Sequence, residues 1–454
     1  MTAACSSHFA NEAGKINRST YISISYYCCN SYLQRNMPMN TVKPATLVGL
    51  AAMVACFISS CNNSTPSSNA LPAADSSFAR GSYAYDAAFL QQHTGESIQL
   101  VSADGKGKVL LSAKYQGRVM TSTATGDSGT SFGWLNYDLL AAKEKRKQFN
   151  PVGGEERFWM GPEGGQYSIY FKKNDSFNIA HWQVPAFIDT LPYNIVRSDK
   201  NSASFATSAS LVNYSGNAFT LSVERTVRLL TKEELEKKLA AVVPADLHWV
   251  GYETSNTITN TGSNDWTKDK GLLSVWLLGM FTPGPSTTVI IPFKPIPGAM
   301  QNITADYFGT IPPERLRITD SVLYFTTDGR YRSKIGLSPL VAKPLAAAFD
   351  AAKNVLTIVI PSVDAGADYV NSKWELQQAP YKGDVINAYN DGPLADGTQM
   401  GPFLEIESSS PALALKKNSQ ATYRQTTCHL QGSYVALHSI AQQLLGVDLD
   451  TLKK

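Results

Sequence analysis

The stretch Phe219-Thr-Leu-Ser-Val-Glu-Arg-Thr-Val227 alternates apolar and polar residues almost without exception. A period of two places successive side chains on opposite faces of a β-strand, so this stretch predicts a strand with one buried face. The turn Tyr214-Ser-Gly-Asn217 comes just before it, and residues 205–230 together predict a hairpin. Further strand patterns recur at roughly even spacing, at residues 97–101, 108–115, 252–261, 272–281, 289–293, 317–326, 356–361, 373–377, 404–407 and 421–430. Many strands with few helices are typical of a large antiparallel sandwich or barrel.

Three stretches predict helices. Residues 89–93 suggest a short helix, and residues 231–242 a longer one with Thr231 as N-cap and Glu234 as its capping-box partner. Residues 433–449 form an amphipathic pattern that predicts a C-terminal helix. The expected fold is therefore all-β dominated, with a few short helices and this terminal helix.

Composition excludes several classes of function. The chain has 454 residues, of which 43% are hydrophobic and 17% charged, with a formal net charge of +3. These values indicate a globular protein, and the interspersed charges give no basic stripe for nucleic acid. The glycine-rich residues 153–165 predict a cluster of turns, and they lack the Lys-Ser/Thr ending of a phosphate loop, which argues against a nucleotide. The six cysteines show no metal-ligand spacing, so we expect no cofactor, and Cys428 reads as a buried apolar residue.

The N-terminal part has the features of a secretory signal. Residues 1–36 predict a mis-assigned or disordered extension, and residues 37–61 a signal peptide with a short basic region and an apolar run. Ile58-Ser-Ser-Cys61 resembles the lipobox of bacterial lipoproteins, which implies lipidation of Cys61 and a lipid anchor in the cell envelope, on the outer membrane. An ordinary cleaved signal is the alternative. Residues 62–80 then predict a flexible tether, residues 81–432 the folded domain and residues 433–454 the C-terminal helix.

Four segments carry a family resemblance: Gly117-Arg-Val119, Tyr214 to Val223, Asn256-Thr-Ile-Thr-Asn-Thr-Gly262, and Leu404-Glu-Ile-Glu407 with Pro411. In order and spacing the chain resembles the galactose mutarotase-like superfamily over roughly residues 81–432. More specifically it is similar to a Bacteroidetes lipoprotein branch of that superfamily. The resemblance implies a β-supersandwich and a sugar ligand, with an aldose 1-epimerase type of acid/base chemistry.

The late strand carries the predicted base. Its alternation places Glu405 and Glu407 on one face, about 7 Å apart, with Leu404 and Ile406 on the other. Two carboxylates at that spacing repel each other, which favours a raised pKa for one of them. The resemblance implies that one of these glutamates is the base, and it leaves open which one. The alternative is two solvated glutamates on an exposed strand.

The predicted acid is less clearly marked. The resemblance implies a histidine after the Asn256 strand, but that region reads Val275-Trp-Leu-Leu-Gly-Met-Phe281. His181 is the best substitute, and the alternative for it is an ordinary structural histidine. A sugar also needs planar charged groups for its hydroxyls and aromatic faces for its ring. The predicted substrate-binding residues of these two kinds are Arg118, Glu163, Asp306 and Asp391, and Trp159, Trp182 and Trp276. The alternative for the charged residues is a surface or structural salt bridge, and the alternative for the tryptophans is ordinary sandwich core.

The sequence therefore supports a lipid-anchored protein that binds a sugar or glycan and is a candidate aldose 1-epimerase. A non-catalytic glycan-binding protein on the same fold is the main alternative, and the missing histidine favours it. A polysaccharide lyase or hydrolase on a related sandwich is the third hypothesis.

Overall fold

A computed structural model describes residues 77–142 and 144–452, and these residues fall in one compact unit. The predictions for residues 1–36, 37–61 and most of 62–80 concern residues outside the described ranges. None of the helices in the described ranges is long and apolar enough to cross a membrane.

The described chain forms three antiparallel sheets. A three-stranded sheet contains β1 (Ile98–Val101), β2 (Lys108–Ser112) and β3 (Arg118–Thr123). The ten-stranded sheet, in spatial order, contains β12 (Leu316–Ile318), β13 (Val322–Thr326), β10 (Thr288–Pro292), β15 (Ala346–Asp350), β16 (Val355–Pro361), β19 (Gln420–Gly432), β8 (Leu247–Asn260), β7 (Ala218–Leu229), β6 (Ser202–Val212) and β5 (Asn194–Ser198). The six-stranded sheet contains β11 (Ile303–Thr304), β14 (Ser333–Leu337), β17 (Ile386–Asn390), β18 (Leu404–Ser409), β9 (Ser274–Phe281) and β4 (Arg157–Gly161). The predicted large antiparallel sandwich is confirmed.

The hairpin predicted from the alternating stretch is the pair β6 and β7, with Ser202 opposite Arg228 and Val212 opposite Ala218. Phe219, Leu221 and Val223 point into the core, as their period of two requires. Arg225 shares this buried face. Arg225 is fully buried, and its charge is compensated because it pairs with Glu156 at 2.9 Å and donates to the Asn256 side chain at 2.6 Å.

The six-stranded sheet packs one face against the ten-stranded sheet. Leu404 and Ile406 of β18 join one buried cluster with Val359 of the larger sheet. Polar groups also lie in this interface, where His429 approaches Glu155 at 3.1 Å and neither side chain is exposed. Buried polar groups of this kind need a partner because leaving a donor or acceptor unsatisfied costs about 1–3 kcal/mol.

The helices are α1 (Tyr83–Thr94), α2 (Tyr137–Ala141), α3 (Ala186–Asp189), α4 (Lys232–Leu239) and α5 (Tyr434–Leu445). The capping box predicted for α4 is confirmed, since Thr231 and Glu234 each bond the other's backbone N–H. Helix α5 begins after the N-cap Ser433 and ends at Leu445, earlier than expected, because Gly446 turns the chain into the left-handed region. Both α4 and α5 pack on the ten-stranded sheet, away from the smaller one.

Three local predictions need correction. Residues 373–377 are a loop that wraps against residues near 166, with the Gln377 N–H bonded to the Gln166 side chain. Residues 317–326 are two short strands, β12 and β13, rather than one. The glycine-rich residues 153–165, expected to be a turn, contain strand β4, which pairs with β9 along its whole length. The pairing with β9, which depends on tertiary structure, therefore overrides the local turn propensity of this segment.

Candidate functional site

Strand β18 separates its side chains as the alternation predicts, but both of its faces are covered. Leu404 and Ile406 face the ten-stranded sheet. Glu405 and Glu407 lie on the opposite, outer face, where their side chains are 9% and 1% exposed. The alternative of two solvated glutamates is therefore wrong, and both carboxylates must find partners.

Two long basic side chains supply those partners by reaching across an intervening strand. Lys334 of β14 passes over β17, and its Nζ donates to Glu407 Oε2 at 2.8 Å. From the other side, Arg157 of β4 passes over β9 and its Nη2 donates to Glu405 Oε1. Strands lie about 4.8 Å apart, so only Lys or Arg is long enough to cross a neighbour and reach a carboxylate. Trp276 Nε1 donates to the same Glu407 oxygen at 2.9 Å.

Lys334 lies at the centre of this arrangement. Burial alone would lower its pKa, but the carboxylates of Glu407, Glu163 and Glu405 outweigh that effect and raise it. Its Nζ is 5.2 Å from the ring centroid of Trp276 and 5.6 Å from that of Tyr307. We refer to Lys334, Glu163, Glu405 and Glu407 as the Lys334 cluster.

Glu163 is held just beyond the end of β4. Its N–H donates to Ser372 Oγ at 3.1 Å, and its carbonyl accepts from Ser168 Oγ. Burial raises the pKa of Glu163 to about 7, against the opposing effect of the Lys334 ammonium.

The pKa of Glu405 is raised to a similar value as that of Glu163, but its neighbours are different. Burial raises the pKa of Glu405 to about 7, and the nearby Glu407 carboxylate adds to the shift, whereas the Arg157 guanidinium opposes it. Two carboxyl groups of one cluster therefore change protonation near neutral pH. Such pairs are a recognised feature of acid/base sites.

Aromatic rings form one wall of the face. Trp159 and Trp276 meet edge to face with centroids 5.6 Å apart. Trp182 lies 6.5 Å from Trp159 and stacks on Trp374 at 6.0 Å. Trp374 is half-buried, so this wall reaches the surface at the loop that carries it.

The opposite wall combines tyrosines with acids. The Tyr307 hydroxyl donates to Asp384 at 2.5 Å, and the Tyr389 hydroxyl donates to Asp391 at 2.6 Å. At the rim, the guanidinium of Arg332 stacks 3.8 Å from the ring centroid of Phe308, whose side chain is 46% exposed.

The structure brings many of the predicted site residues together and separates the rest. Those on or beside the face are Glu405, Glu407, Glu163, Trp159, Trp182, Trp276 and, at its edge, Asp391. Arg118 is buried elsewhere and donates to the Gly153 carbonyl at 2.8 Å. Asp306 is exposed. His181 is exposed on a loop and its imidazole contacts Ser176 Oγ at 3.0 Å.

Sequence reasoning missed Arg157, Lys334, Tyr307 and Trp374. For two of them a signal exists. Arg157 and Trp159 alternate with Phe158, and Lys334 alternates with Ile335, as strand residues with one buried face do. Both strands are only five residues long, which makes their alternation easy to overlook.

A concave region lies elsewhere on the described surface. A groove of about 330 Å³ opens beside the β6–β7 turn, and it is lined by residues that include Tyr170, Lys172, Val184 and Gly216. None of its lining residues is an aspartate or glutamate. The paired carboxyl groups needed for proton transfer are thus found in the Lys334 cluster and not in this groove.

Comparison with curated proteins finds no match. Among solved structures, the chain is similar to a galactose mutarotase-like protein from Lactobacillus casei ATCC 334, with 11% identity and a TM-score of 0.42 over 74% of this chain and 100% of that one. It is similar to a galactose mutarotase related enzyme from Lactobacillus acidophilus, with 10% identity and a TM-score of 0.40 over 74% and 97% of the two chains. It is also similar to a protein from Escherichia coli K12 named after aldose 1-epimerase, with 11% identity and a TM-score of 0.44 over 74% and 98%.

These structures bear the names of the superfamily that the sequence resembles. At these identities and TM-scores, no residue role is transferred from these structures to this chain. A family model described as a family of unknown function, DUF6786, matches residues 81–454. Because this match spans most of the chain, the protein belongs to the DUF6786 family.

Proposed function

We propose that this protein binds a sugar on the outer face of the six-stranded sheet and exchanges its anomers by acid/base chemistry. The observation that carries the proposal is the position of Lys334, which contacts Glu407 between the rings of Trp276 and Tyr307. Sugars present hydroxyl groups and apolar ring faces, and sites for them combine charged hydrogen-bonding groups with aromatic side chains. This face offers both in one place.

Glu405 is the better base of the two glutamates. Glu407 is almost fully buried and accepts from both Lys334 and Trp276, which fixes it in place. Glu405 is the more exposed, and its hydrogen bond goes to Arg157. A base works best when its pKa lies near the working pH, and the pKa of Glu405 is about 7.

The proposed reaction opens and recloses a hemiacetal. Glu405 takes the proton of the anomeric hydroxyl, the bond between the anomeric carbon and the ring oxygen breaks, and an acid protonates that oxygen. Rotation and reclosure on the other face reverse these proton transfers, so protons and electrons balance without an oxidant or a metal.

Exchange NMR on a panel of free aldoses tests this function. We expect the purified protein to accelerate the exchange of α and β anomers, and Glu405→Gln to lower the rate by about 100-fold, the usual contribution of a positioned acid or base. Glu96→Gln, at an exposed position outside the cluster, is the matched control and should keep the full rate. No acceleration by the purified protein with any aldose would exclude the epimerase function.

A non-catalytic glycan-binding protein is the second candidate, and the pairing of both glutamates favours it. Arg157 and Lys334 already hold Glu405 and Glu407 in ion pairs. A site used only for binding would keep those pairs intact. Saturation by glycans in calorimetry, together with no anomer exchange, would identify this second function.

The proposal includes a lipid anchor at Cys61, which places the protein in the cell envelope, on the outer membrane. It is supported by the lipobox-like Ile58-Ser-Ser-Cys61 and by the polar residues that follow it. Metabolic labelling with a fatty acid should mark the protein, and the label should be lost in Cys61→Ser. Labelling that persists in that variant would contradict the anchor.

A further inference from the structure

Strand β6 is longer than the strand that lies beside it at the edge of the ten-stranded sheet. It runs from Ser202 to Val212, but β5 pairs only with its first part, up to Ala206 opposite Asn194. Within the described ranges, no strand or isolated bridge pairs with the remaining residues, Thr207 to Val212, on that side. An open strand edge of this kind is a template on which another chain can add a strand.

The hydrogen bonds at the two ends of the β6–β7 pair show which backbone groups face the open side. At one end the Leu229 N–H donates to the Asn201 carbonyl at 2.8 Å, and at the other the Asn213 N–H donates to the Asn217 carbonyl at 2.9 Å. The register between them runs without a bulge, so the odd-numbered residues of β6 bond to β7 throughout. The even-numbered residues of the open segment direct their N–H and C=O groups away from β7: Ser208, Ser210 and Val212.

The groove beside the β6–β7 turn adjoins this open edge. Leu211 to Asn213 line one part of it, and residues 183–186 line another. The Val184 N–H donates to the Gln148 carbonyl at 2.9 Å, so this second segment is bonded to another part of the chain rather than to β6. Buried side chains of residues 169–171 also line the groove. The space of about 330 Å³ therefore combines an unpaired strand edge with an apolar lining.

The charge around this groove is positive. Lys172 and Lys173 line it and are exposed, and neither ammonium is paired with a carboxylate in the described part of the chain. The carboxylate of the nearby Asp175 accepts the Lys172 backbone N–H at 3.0 Å. Lys145 adds another cation, since its Nζ donates to the Thr190 carbonyl at the end of α3 at 2.8 Å. With no aspartate or glutamate in its lining, the groove is complementary to an acidic partner.

We propose that the open edge of β6 and its groove bind an extended acidic segment of a partner protein, which adds to the ten-stranded sheet as a further strand. Its backbone pairs with Ser208, Ser210 and Val212, and its side chains alternate between the apolar lining and the exposed lysines. A partner sequence that alternates apolar and acidic residues fits this arrangement. Partner binding here does not depend on anomer exchange, because none of the lining residues belongs to the Lys334 cluster.

Two other occupants fit this surface less well. A second copy would bring Lys172 and Lys173 of both copies together, because a two-fold interface uses the same patch on both subunits. Like charges placed in this way repel each other. A glycan chain would contact the lysines, but it offers no row of backbone amides to match the N–H and C=O groups of the strand edge.

Fluorescence anisotropy with a labelled Glu-Val-Glu-Val-Glu-Val peptide and the purified protein tests the proposal. We expect saturable binding that weakens by about threefold between about 50 and about 200 mM salt, because salt screens the exposed lysines. Lys172→Glu combined with Lys173→Glu should weaken binding by about tenfold. The matched control, Lys416→Glu combined with Lys417→Glu, reverses another adjacent pair of exposed lysines and should bind like the wild type.

Two further measurements test the strand pairing itself. Ser210→Pro removes an outward N–H in the open edge without removing a bond to β7, and it should abolish binding. The same peptide with every amide N-methylated keeps its sequence but loses its N–H donors, and it should not bind the wild type. Because the second measurement uses the wild-type protein, it decides the question even if Ser210→Pro does not fold.

The contrary results are distinct. No saturable binding up to about 1 mM peptide, or equal binding of the N-methylated peptide, would overturn strand addition. Binding that the reversal of Lys172 and Lys173 leaves unchanged would place the peptide outside this groove and overturn the proposal as well. Binding of polygalacturonate without binding of the peptide would assign the groove to an acidic glycan instead. A dimer in analytical ultracentrifugation that Ser210→Pro dissociates would assign the edge to a second copy.

Discussion

Replacing Lys334 by methionine tests the central ion pair of the site most directly. The change removes the ammonium that donates to Glu407 at 2.8 Å and leaves a carboxylate that is 1% exposed with the Trp276 N–H as its remaining donor. Losing one partner of a buried pair costs about 3–5 kcal/mol. The retained indole bond and the 14% exposure of Lys334 place the expected loss at the lower end, at about 3 kcal/mol.

Urea unfolding at pH 8, followed by tryptophan fluorescence, measures this loss. The double variant Lys334→Met with Glu407→Gln removes both charges, and its amide oxygen still accepts from Trp276. We expect it to regain stability to within about 1 kcal/mol of the wild type. Lys353→Met is the matched control, since that lysine is 38% exposed and 3.6 Å from Asp350, and it should cost less than about 0.5 kcal/mol.

Two results would refute this reasoning. A loss below about 0.5 kcal/mol in Lys334→Met would mean that water or another group replaces the ammonium at no cost. A double variant as unstable as the sum of the two single variants would mean that Lys334 and Glu407 are not energetically coupled.

Three further predictions concern other parts of the structure. Arg157→Gln removes the cation that holds down the pKa of Glu405, so the acidic limb of the anomer-exchange profile should move up from about pH 7 by about one unit. Thr231→Ala removes the N-cap of α4 and should lower the free energy of unfolding by about 1 kcal/mol in urea titrations. Burial raises the pKa of Asp86 to about 6, so the folded state binds its proton more tightly than the unfolded state and loses stability as the pH rises from about 4 to about 6. Asp86→Asn removes this loss and should be about 2–3 kcal/mol more stable than the wild type at pH 7.5, with the gap closing below pH 4.

Each of these predictions has its own contrary outcome. An acidic limb that stays in place in Arg157→Gln would show that the guanidinium does not control the proton of Glu405. An unchanged urea midpoint in Thr231→Ala would show that the cap does not stabilise α4 in the folded protein. A constant stability difference between Asp86→Asn and the wild type across pH 4 to 7.5 would show that this carboxyl group does not titrate in that range.

How much of the site was predictable depends on how each residue is held. Glu405 and Glu407 were found because the alternation of their strand is local information. Their burial was not predictable, because it comes from Arg157 and Lys334, which lie 248 and 73 residues away along the chain. Tertiary contacts also separate His181 from its neighbour Trp182. Trp182 joins the aromatic wall, whereas the His181 imidazole contacts Ser176 on the surface.

The sequence by itself determined the fold class of the described chain, the long β6–β7 hairpin, the capping box at Thr231 and the faces of β18. All of these depend on the period of side chains along one segment or on hydrogen bonds between near neighbours. Only the tertiary structure decided which charges meet. Lys334 reaches Glu407 across β17 because the sheet order places β14 two strands from β18, and no local pattern encodes that order.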